Sequence, residues 1–352
     1  MTLELSAAIA ERDLDVTFSV AEGETVALLG PNGAGKSTVL HVAAGLVAAD
    51  RARVVLDGRV LTSVGTDARR VHVPPHDRQV AMLAQDPALF PHLSVRDNVA
   101  FGPRSRGGSR RTARAAADRW IEEVGLAELA GRRPGQLSGG QAQRAAVARA
   151  LAAEPRLLLL DEPMAALDVA VTPGLRQTLR RVLDRRTAVV VTHDVLDALL
   201  LADRVVVLDE GRIVEDGPAA EVLARPRSGF TARIAGLNLV RGVWRDGSVM
   251  TDAGLRIVGE AAEETPVDGS AVVAVFPPTA VAVFLSAPGG SPRNELPVVV
   301  TEIEPHGGHV RLRAGDLAAD VTPRALADLD LTPGAPAIFA VKATEVAIYP
   351  TS

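Results

Sequence analysis

The feature that most constrains this sequence is residues 25–40, which read TVALLGPNGAGKSTVL. A short apolar run ends at Gly30, a glycine-rich turn follows, and Lys36 opens a predicted helix. The spacing of Gly30, Gly35, Lys36 and Ser37 fits the phosphate-binding pattern G-x-x-x-x-G-K-[ST]. Small residues let backbone N–H groups converge on phosphate oxygens, and the helix N-terminus adds partial positive charge. We therefore predict a nucleotide-phosphate site formed by Gly30, Pro31, Asn32, Gly33, Ala34, Gly35, Lys36, Ser37 and Thr38.

The use of lysine supports this assignment. Among 38 lysines and arginines, only Lys36 and Lys342 are lysines. A lysine kept in an arginine-rich chain suggests a site that needs a compact, flexible point charge rather than a planar fork. Lys36 can reach the terminal phosphates, and the Ser37 hydroxyl can complete the coordination shell of Mg²⁺.

Length and composition define the broad class. A chain of 352 residues that is 47% hydrophobic is long enough for about two domains with buried cores. The lack of cysteine excludes disulfides, thiolate catalysis and cysteine-based metal centres, and it fits a reducing compartment. Glu4 and Glu11 interrupt the start and no apolar run reaches membrane-spanning length, so we expect a soluble protein without a secretory signal. Residues 236–352 carry 8 basic and 14 acidic side chains, and the remainder is near neutral, which argues against a nucleic-acid partner.

Residues 1–233 alternate between strand and helix patterns. The unbroken apolar runs at 156–160 and 187–191 indicate a parallel sheet covered on both faces, with functional residues expected at the carboxyl ends of its strands. The other predicted elements are strands within 3–20, a helix to about Gly45, a strand at 54–56, a loop at 62–78, a strand at 79–83, a helix that starts at Ser94 and an Ala-rich helix opened by 137–141 that runs to about Ala153.

Two polar stretches are more simply interpreted as solvent-exposed segments than as binding sites. His72 and His76 lie in the predicted loop, where solvated histidines are more common than metal ligands. Residues 104–119 are rich in arginine, and we favour a solvated helix face over contact with anionic lipid at a membrane surface.

After about Arg233 the pattern changes to short β-type runs separated by Gly and Pro turns. Residues 273–284 (VAVFPPTAVAVF) align without gaps on residues 338–349 (IFAVKATEVAIY). Two copies of one β unit predict a small OB-like barrel or sandwich made of two similar halves.

Residues 1–233 resemble the ATP-binding subunit of an ABC transporter, because five motifs occur in the order typical of that family. They are GPNGAGKS at 30–37, Gln85, LSGGQ at 137–141, LLLLDE at 157–162 and His193. The resemblance implies an α/β P-loop ATPase domain at 1–233, with a helical subdomain at about 86–153, that uses ATP and Mg²⁺.

Each motif residue also has a chemical role. Asp161 follows four leucines at a strand end, where its carboxylate can bind Mg²⁺ directly or through water. Glu162 is the expected general base, His193 can donate to the γ-phosphate, and Gln85 can contact Mg²⁺ and the attacking water. A second phosphate nest is formed by Ser138, Gly139, Gly140 and Gln141.

The resemblance further implies the partners. The second nest serves the ATP bound to another copy of the chain, so the competent state is a head-to-tail dimer that encloses two ATP molecules. The region of about 86–103 meets a membrane permease, which puts the protein on the cytoplasmic face of the membrane, with a substrate-binding protein as an indirect partner. The sequence departs from many relatives at three places. It has no aromatic residue at 8–15, where Arg12 could stack on adenine instead. It also carries Ala142 in the predicted helix and Ala165 in the loop from Met164 to Asp168.

Residues 234–352 resemble the molybdate-binding accessory domain, of TOBE or Mop type, found in molybdate importers. Ser291, Arg293 and Asn294 match its S-x-R-N opening, and Lys342 and Thr344 match its K-A-[ST]-x-V strand. These side chains suit a tetrahedral dianion, either molybdate or tungstate. The first repeat has Pro277 where the second has Lys342, so we expect one competent site per chain; the alternative is an exposed strand lysine and a turn serine.

These observations favour an ATPase that powers molybdate import, with tungstate as the related cargo. The nearest alternative is the same machine with sulfate, iron or a sugar as cargo. An ABC ATPase that acts on nucleic acid or ribosomes is disfavoured because the chain has neither tandem cassettes nor long coiled-coil inserts. An oxyanion storage protein is disfavoured by the intact Lys36, Asp161, Glu162 and His193 set.

Overall fold

A computed structural model describes residues 2–65, 69–165, 167, 172–262 and 265–351. The chain divides into two compact units, Met1–Ala220 and Glu221–Ser352. The strands of the first unit are β1 (Leu3–Ile9), β2 (Leu14–Val20), β3 (Thr25–Leu29), β4 (Arg51–Leu56), β5 (Arg59–Val64), β6 (Val71–His72), β7 (Val80–Leu83), β8 (Leu157–Asp161), β9 (Ala188–Val191), β10 (Arg204–Asp209) and β11 (Arg212–Pro218). Its helices are α1 (Lys36–Ala44), α2 (Val95–Ser105), α3 (Arg110–Glu123), α4 (Gly139–Ala152), α5 (Thr172–Leu183) and α6 (Val195–Leu201), and α7 (Ala219–Ala224) crosses the boundary.

The main sheet of the first unit has the order β11-β10-β3-β9-β8-β7. β7, β8, β9, β3 and β10 are parallel to one another, and β11 is antiparallel at the edge. Every residue of β3, β8 and β9 is buried, as their unbroken apolar runs predict for strands covered on both faces. The predicted parallel sheet is confirmed.

A second sheet, of order β2-β1-β4-β5-β6, is antiparallel. The prediction of a loop at 62–78 is wrong at its start, because 62–64 form the end of β5 and 71–72 form β6. Thr62 and Ser63 are polar yet buried, and the Thr62 hydroxyl accepts a hydrogen bond from the buried Arg78 guanidinium at 2.8 Å. This tertiary contact satisfies polar groups that would otherwise favour an exposed loop.

The helices α2, α3 and α4 form the predicted helical part and share one apolar core with α5. The predicted helix start at Ser94 is confirmed, since its hydroxyl accepts from the Asp97 N–H at 3.1 Å. In the same way the Ser138 hydroxyl caps α4 by accepting from the Gln141 N–H, and the Gln141 side-chain oxygen accepts from the Ser138 N–H. This reciprocal capping box fixes where α4 begins.

The second unit is mainly β-structure. Its strands are β12 (Asn238–Arg245), β13 (Ser248–Met250), β14 (Arg256–Ile257), β15 (Glu260–Ala261), β16 (Ala271–Phe276), β17 (Ala282–Phe284), β18 (Asn294–Val299), β19 (Glu302–His306), β20 (His309–Ala314), β21 (Leu317–Val321), β22 (Pro336–Val341) and β23 (Ala347–Pro350), and its short helices include α8 (Gly229–Ile234) and α9 (Pro323–Leu329). They form three sheets, of orders β14-β13-β12-β16-β23-β15, β17-β22-β18 and β19-β20-β21, around one apolar core.

The internal repeat is confirmed in the structure. β16 corresponds to β22, the 3-10 turn Pro278–Ala280 to the turn Ala343–Glu345, and β17 to β23. The halves exchange their last strands, because β17 pairs with β22 and β23 pairs with β16. Neither half can therefore complete its sheet alone.

Two buried asparagines occupy equivalent positions in this repeat. Asn238 pairs with the last residue of β16, and Asn294 pairs with the last residue of β22. Each side-chain amide both donates to and accepts from one backbone residue, Ala318 for Asn238 and Val258 for Asn294. Each asparagine thus provides partners for one backbone N–H and one backbone C=O.

We predict that Asn238→Ala or Asn294→Ala lowers the free energy of unfolding of this unit by about 2–4 kcal/mol, because each change leaves two backbone groups unpaired. Urea unfolding followed by the fluorescence of the buried Trp244, in a Trp120→Phe background, measures this loss. The exposed Thr332→Ala change is the control and should have no effect. Equal stabilities of all three variants would contradict the role of the asparagines.

Candidate functional site

Four predicted motifs meet at one edge of the main sheet. β3, β9, β8 and β7 are neighbours in that order and run parallel, so their carboxyl ends lie together. The glycine-rich loop follows β3, His193 follows β9, Asp161 and Glu162 end β8, and Gln85 follows β7. The strand order therefore brings together residues that are up to 163 positions apart in the sequence, between Gly30 and His193.

The conformation of the glycine-rich loop explains two of its glycines. Gly30 has φ of 151°, and a Cβ atom there would lie 2.1 Å from the Leu208 carbonyl oxygen. Gly35 has φ of 98°, and a Cβ atom there would lie 2.7 Å from Leu14 Cδ1. The Lys36 ammonium donates to the carbonyls of Gly30 and Pro31, both at 2.8 Å, so the lysine folds back over the loop that precedes it.

The site holds a buried amine close to a buried carboxylate. Burial lowers the pKa of Lys36, against the opposing effects of Glu162 and Asp161. Burial likewise raises the pKa of Asp161, although a hydrogen bond from Ser37 counteracts it. The Ser37 hydroxyl lies 3.0 Å from Asp161 Oδ1. These hard oxygen donors fit Mg²⁺, which takes one or two protein oxygens and the oxygens of bound phosphates.

Glu162 and His193 face each other across the site. Glu162 Oε2 lies 3.7 Å from His193 Nδ1, and their side chains are 22% and 62% exposed. Glu162 has φ of 44°, a left-handed conformation that is unusual for a residue with a side chain, and its N–H donates to the Val191 carbonyl at 3.0 Å. The β8–β9 pairing therefore fixes the main chain that carries both groups.

The segment Ser138–Gln141 lies apart from this cluster. Ser138 and Gly139 are exposed at the start of α4, in the helical part. Within the described residues no hydrogen bond joins this segment to the glycine-rich loop. Gln85 is also exposed, two residues beyond the end of β7. A single chain thus assembles the Lys36 side of the site and leaves the α4 nest open.

Sequence reasoning missed one buried contact of this site. Gln143 is buried on α4, and its amide donates to the Pro163 carbonyl at 2.9 Å, one residue beyond Glu162. A polar residue on an otherwise apolar face of a predicted helix is the signal that could have found it. Arg12 lies near the glycine-rich loop, because it donates to the Thr38 hydroxyl in the first turn of α1 at 2.7 Å.

The departures from the usual motifs fall partly outside the described residues. Ala165 is exposed and its N–H donates to the Glu162 carbonyl, and Ala142 is half-buried on α4. Ala166 and Asp168 of the same loop lie outside the described residues. His72 and His76 are exposed, and the described chain contains no cluster of three or more potential metal-binding side chains.

The candidate oxyanion residues meet at one end of a strand ladder. Asn294 pairs with Val341, which puts Ser291 and Arg293 at the same end as Lys342 and Thr344. The side chains of these four residues are exposed and have no hydrogen-bond or ion-pair partner in the described part of the chain. Asn294 differs, because both polar atoms of its amide bind Val258.

Comparison with known proteins is consistent with both units. A family model described as ABC transporter matches residues 14–165, and a TOBE domain model matches residues 290–348. A molybdenum import ATP-binding protein of Mycobacterium tuberculosis is 52% identical over 99% of this chain and 97% of its own length. A sulfate/thiosulfate import ATP-binding protein of Chromobacterium violaceum is 46% identical over 67% of this chain and 65% of its own.

A solved structure extends the comparison to the fold. The dimeric, post-hydrolysis state of an ATP-binding cassette bound to ADP and Pi is 29% identical and has a TM-score of 0.52. The match covers 62% of this chain and 98% of the cassette. The chain belongs to the ABC transporter ATP-binding proteins.

As an ABC ATPase, the chain has the predicted fold class, an α/β P-loop domain followed by a mainly β TOBE domain, and the family prediction is confirmed. None of the described helices is long and apolar enough to cross a membrane.

We predict that Asp161→Asn stabilises the nucleotide-free protein. Because folding raises the pKa of Asp161, ionisation of its carboxylate costs folding free energy at neutral pH. This cost is absent below the ordinary pKa of aspartate and complete above the pKa of Asp161 in the folded protein. The rise in melting temperature caused by Asp161→Asn should therefore vanish as the pH falls towards about 4. Calorimetric unfolding from pH 4 to 8 measures it.

The control is Asp184→Asn, at an exposed position on the surface of the same unit, which should not change the melting temperature. Magnesium ATP should raise the melting temperature of the wild type and of the control more than that of Asp161→Asn. A destabilised Asp161→Asn protein at pH 7 would contradict the inferred cost of burying this carboxylate.

Proposed function

We propose that this chain is the ATP-hydrolysing subunit that energises import of molybdate, and of tungstate, through a membrane permease. The observation that carries the ATPase role is the convergence of Lys36, Asp161, Glu162 and His193 at one sheet edge. The observation that favours the cargo is the 52% identity to a molybdenum import protein over nearly the whole chain, including the TOBE domain.

In this proposal residues 30–38 bind the phosphates of ATP. The Lys36 ammonium leaves the carbonyls of Gly30 and Pro31 and binds the terminal phosphates. Its burial favours this change, because a buried cation is more stable beside an anion than beside neutral carbonyls. Ser37, Asp161 and Gln85 would hold Mg²⁺, which when bound neutralises charge on the phosphates. Glu162 accepts a proton from the attacking water, and His193 donates a hydrogen bond to the γ-phosphate.

We assign the nest at the start of α4, formed by Ser138, Gly139, Gly140 and Gln141, to the ATP held by a second copy. The N–H groups of Gly139 and Gly140 lie in the first turn of a 14-residue helix and are not used by its capping box, so they suit a phosphate. No such ligand site is completed within one described chain. The solved relative is itself a dimer with ADP and Pi, which supports dimer formation, and the head-to-tail arrangement is our proposal.

We further propose that residues 86–103 receive the permease on the cytoplasmic face of the membrane. An open groove here is lined by Phe90 and Phe101, whose rings lie 4.7 Å apart, together with Met82. Phe101 is 47% exposed, and a helix of the permease with apolar side chains would cover it. A substrate-binding protein would act on this ATPase only through the permease.

For the second unit we propose an oxyanion-sensing role, with a functional boundary between residues 233 and 234. Lys342, Arg293, Ser291 and Thr344 provide unpaired donors at one end of the β18–β22 ladder, and Asn294 holds that end in place. Two cations and two hydroxyls suit a tetrahedral dianion.

The alternative cargo, sulfate, rests on the 46% identity to a sulfate/thiosulfate import protein. That match covers only 67% of this chain, whereas the molybdenum relative covers 99%. An iron cation would be repelled by Lys342 and Arg293, and an uncharged sugar would leave both cations without a counter-charge.

We predict that Glu162→Gln lowers kcat for ATP hydrolysis by about 10²–10⁴-fold, because the amide cannot accept a proton, while ATP affinity changes less than about threefold. Phosphate release and equilibrium nucleotide binding measure the two effects. Glu154→Gln is a matched control, since Glu154 also has a positive φ, of 46°, and lies three residues before β8 begins, away from its carboxyl end. Undiminished hydrolysis by Glu162→Gln would reject its role as base.

We predict that Lys342→Ala weakens binding of molybdate and tungstate by about 10- to 100-fold, the loss expected for one charge-assisted hydrogen bond. Calorimetric titration of the full-length protein with molybdate, tungstate and sulfate measures it. Arg324→Ala, which removes an exposed cation from α9, is the control. Tighter binding of sulfate than of molybdate would favour the alternative cargo, and unchanged binding in Lys342→Ala would exclude this site.

A further inference from the structure

The His193 side chain has little packing to hold it in place. It is 62% exposed, and its nearest charged neighbour is the Glu162 carboxylate at 3.7 Å. A side chain that is this exposed takes its position from its own main chain. The groups that fix the main chain from Thr192 to Asp194 therefore decide where the imidazole lies.

Both neighbours of His193 are fixed by side-chain hydrogen bonds. The buried Thr192 hydroxyl accepts from the Asp194 N–H at 3.1 Å and donates to Asp197 Oδ2 at 3.0 Å. Asp194 Oδ1 accepts from the Leu196 N–H at 2.7 Å and so caps α6. His193 is thus the one residue of this turn whose side chain is left for other contacts.

A single arginine from another helix binds both acids of this turn. Arg176, on α5, donates from Nε to Asp197 Oδ1 at 2.6 Å and from Nη2 to Asp194 Oδ2 at 2.9 Å. Its side chain is 14% exposed and that of Asp197 is 4% exposed. A planar guanidinium can bridge two carboxylates in fixed geometry, whereas a lysine ammonium cannot reproduce this fork.

We propose that Arg176 is a positioning residue for His193: through Asp194 and Asp197 it holds the turn that presents the imidazole to the γ-phosphate. The proposal rests on the proposed ATPase function for the role of His193. Within the described residues Arg176 forms no hydrogen bond or ion pair with Glu162 or the glycine-rich loop, so in this proposal it acts through the turn and not on the nucleotide.

The physical basis is the burial of Asp197. Burial raises the pKa of its carboxyl, and the hydrogen bond from Arg176 opposes this rise. Without Arg176 the Asp197 carboxylate loses its cation in a buried position, and the turn must rearrange or take up a proton to relieve this. A shift of about 1 Å in the imidazole is enough to cost about 10²-fold in rate.

The test is a double-mutant cycle between Arg176→Met and His193→Ala in the full-length protein. We expect Arg176→Met to lower kcat by about 10- to 100-fold with less than about threefold change in KM for ATP. In the His193→Ala background the same change should lower kcat less than about twofold, because its effect passes through the imidazole. Losses that multiply in the double variant would overturn the proposal.

A matched control separates positioning from stability. Arg204 forms a similar fork with Asp216, at 2.5 and 2.7 Å, at the other end of the main sheet. Arg204→Met should lower the melting temperature and leave kcat unchanged. Arg176→Lys, which keeps the charge, should fold and give an intermediate kcat. An equal loss of kcat in Arg204→Met would show that general stability explains the effect.

A second measurement does not depend on hydrolysis. The chain has seven histidines, so the His193 imidazole proton signal can be assigned by its loss in His193→Ala. Arg176→Met should shift or broaden this signal, and Arg204→Met should not. An unchanged signal in Arg176→Met would reject the proposal, whereas failure of the wild type to hydrolyse ATP would reject only the proposed function.

Discussion

The candidate ATP site depends on two buried charged groups, Lys36 and Asp161, beside the carboxyl ends of β3 and β8. The Lys36 amine has two loop carbonyls as partners, and Asp161 has the Ser37 hydroxyl. Burial lowers the pKa of Lys36 and raises the pKa of Asp161, so in both groups it disfavours the charged form. Folding therefore holds an unfavourable electrostatic arrangement at the ends of β3 and β8, which the phosphates and Mg²⁺ of the proposed function would relieve. The parallel pairing of β9 with both β3 and β8 holds these strand ends in register.

Much of this site could be predicted from the sequence because its residues follow unbroken apolar runs. A buried parallel strand must end where polar side chains begin, so Asp161 and His193 could be located without any coordinates. The strand order also matters, and only the structure shows that β9 lies between β3 and β8. The internal repeat of the second unit could also be predicted, because β16 and β22 are followed by turns at the same spacing.

Other contacts could not be predicted because they join elements that are unrelated in sequence pattern. Residues 62–64 were expected in a loop, and a buried Arg78 makes them a strand by satisfying Thr62. Gln143 and Arg176 lie on helices whose apolar periodicity gives no hint of the turns they bind. Such polar contacts depend on the packing of α4 and α5 against the sheet, which periodicity does not specify.

Arginine and lysine have different roles in this chain, and the same packing accounts for the difference. Arginines provide the forks that join elements: Arg78 donates to the carbonyls of Val42 and Ala43 at the end of α1, and Arg311 binds Asp320 through two hydrogen bonds. Each of these guanidinium groups has its geometry fixed by several acceptors, so it cannot move to a ligand. Lys36 and Lys342 are the two cations with a single flexible ammonium, and both lie at proposed anion sites. At Lys36 the proposed function requires the ammonium to leave two loop carbonyls for a phosphate, and a compact, flexible charge suits that exchange.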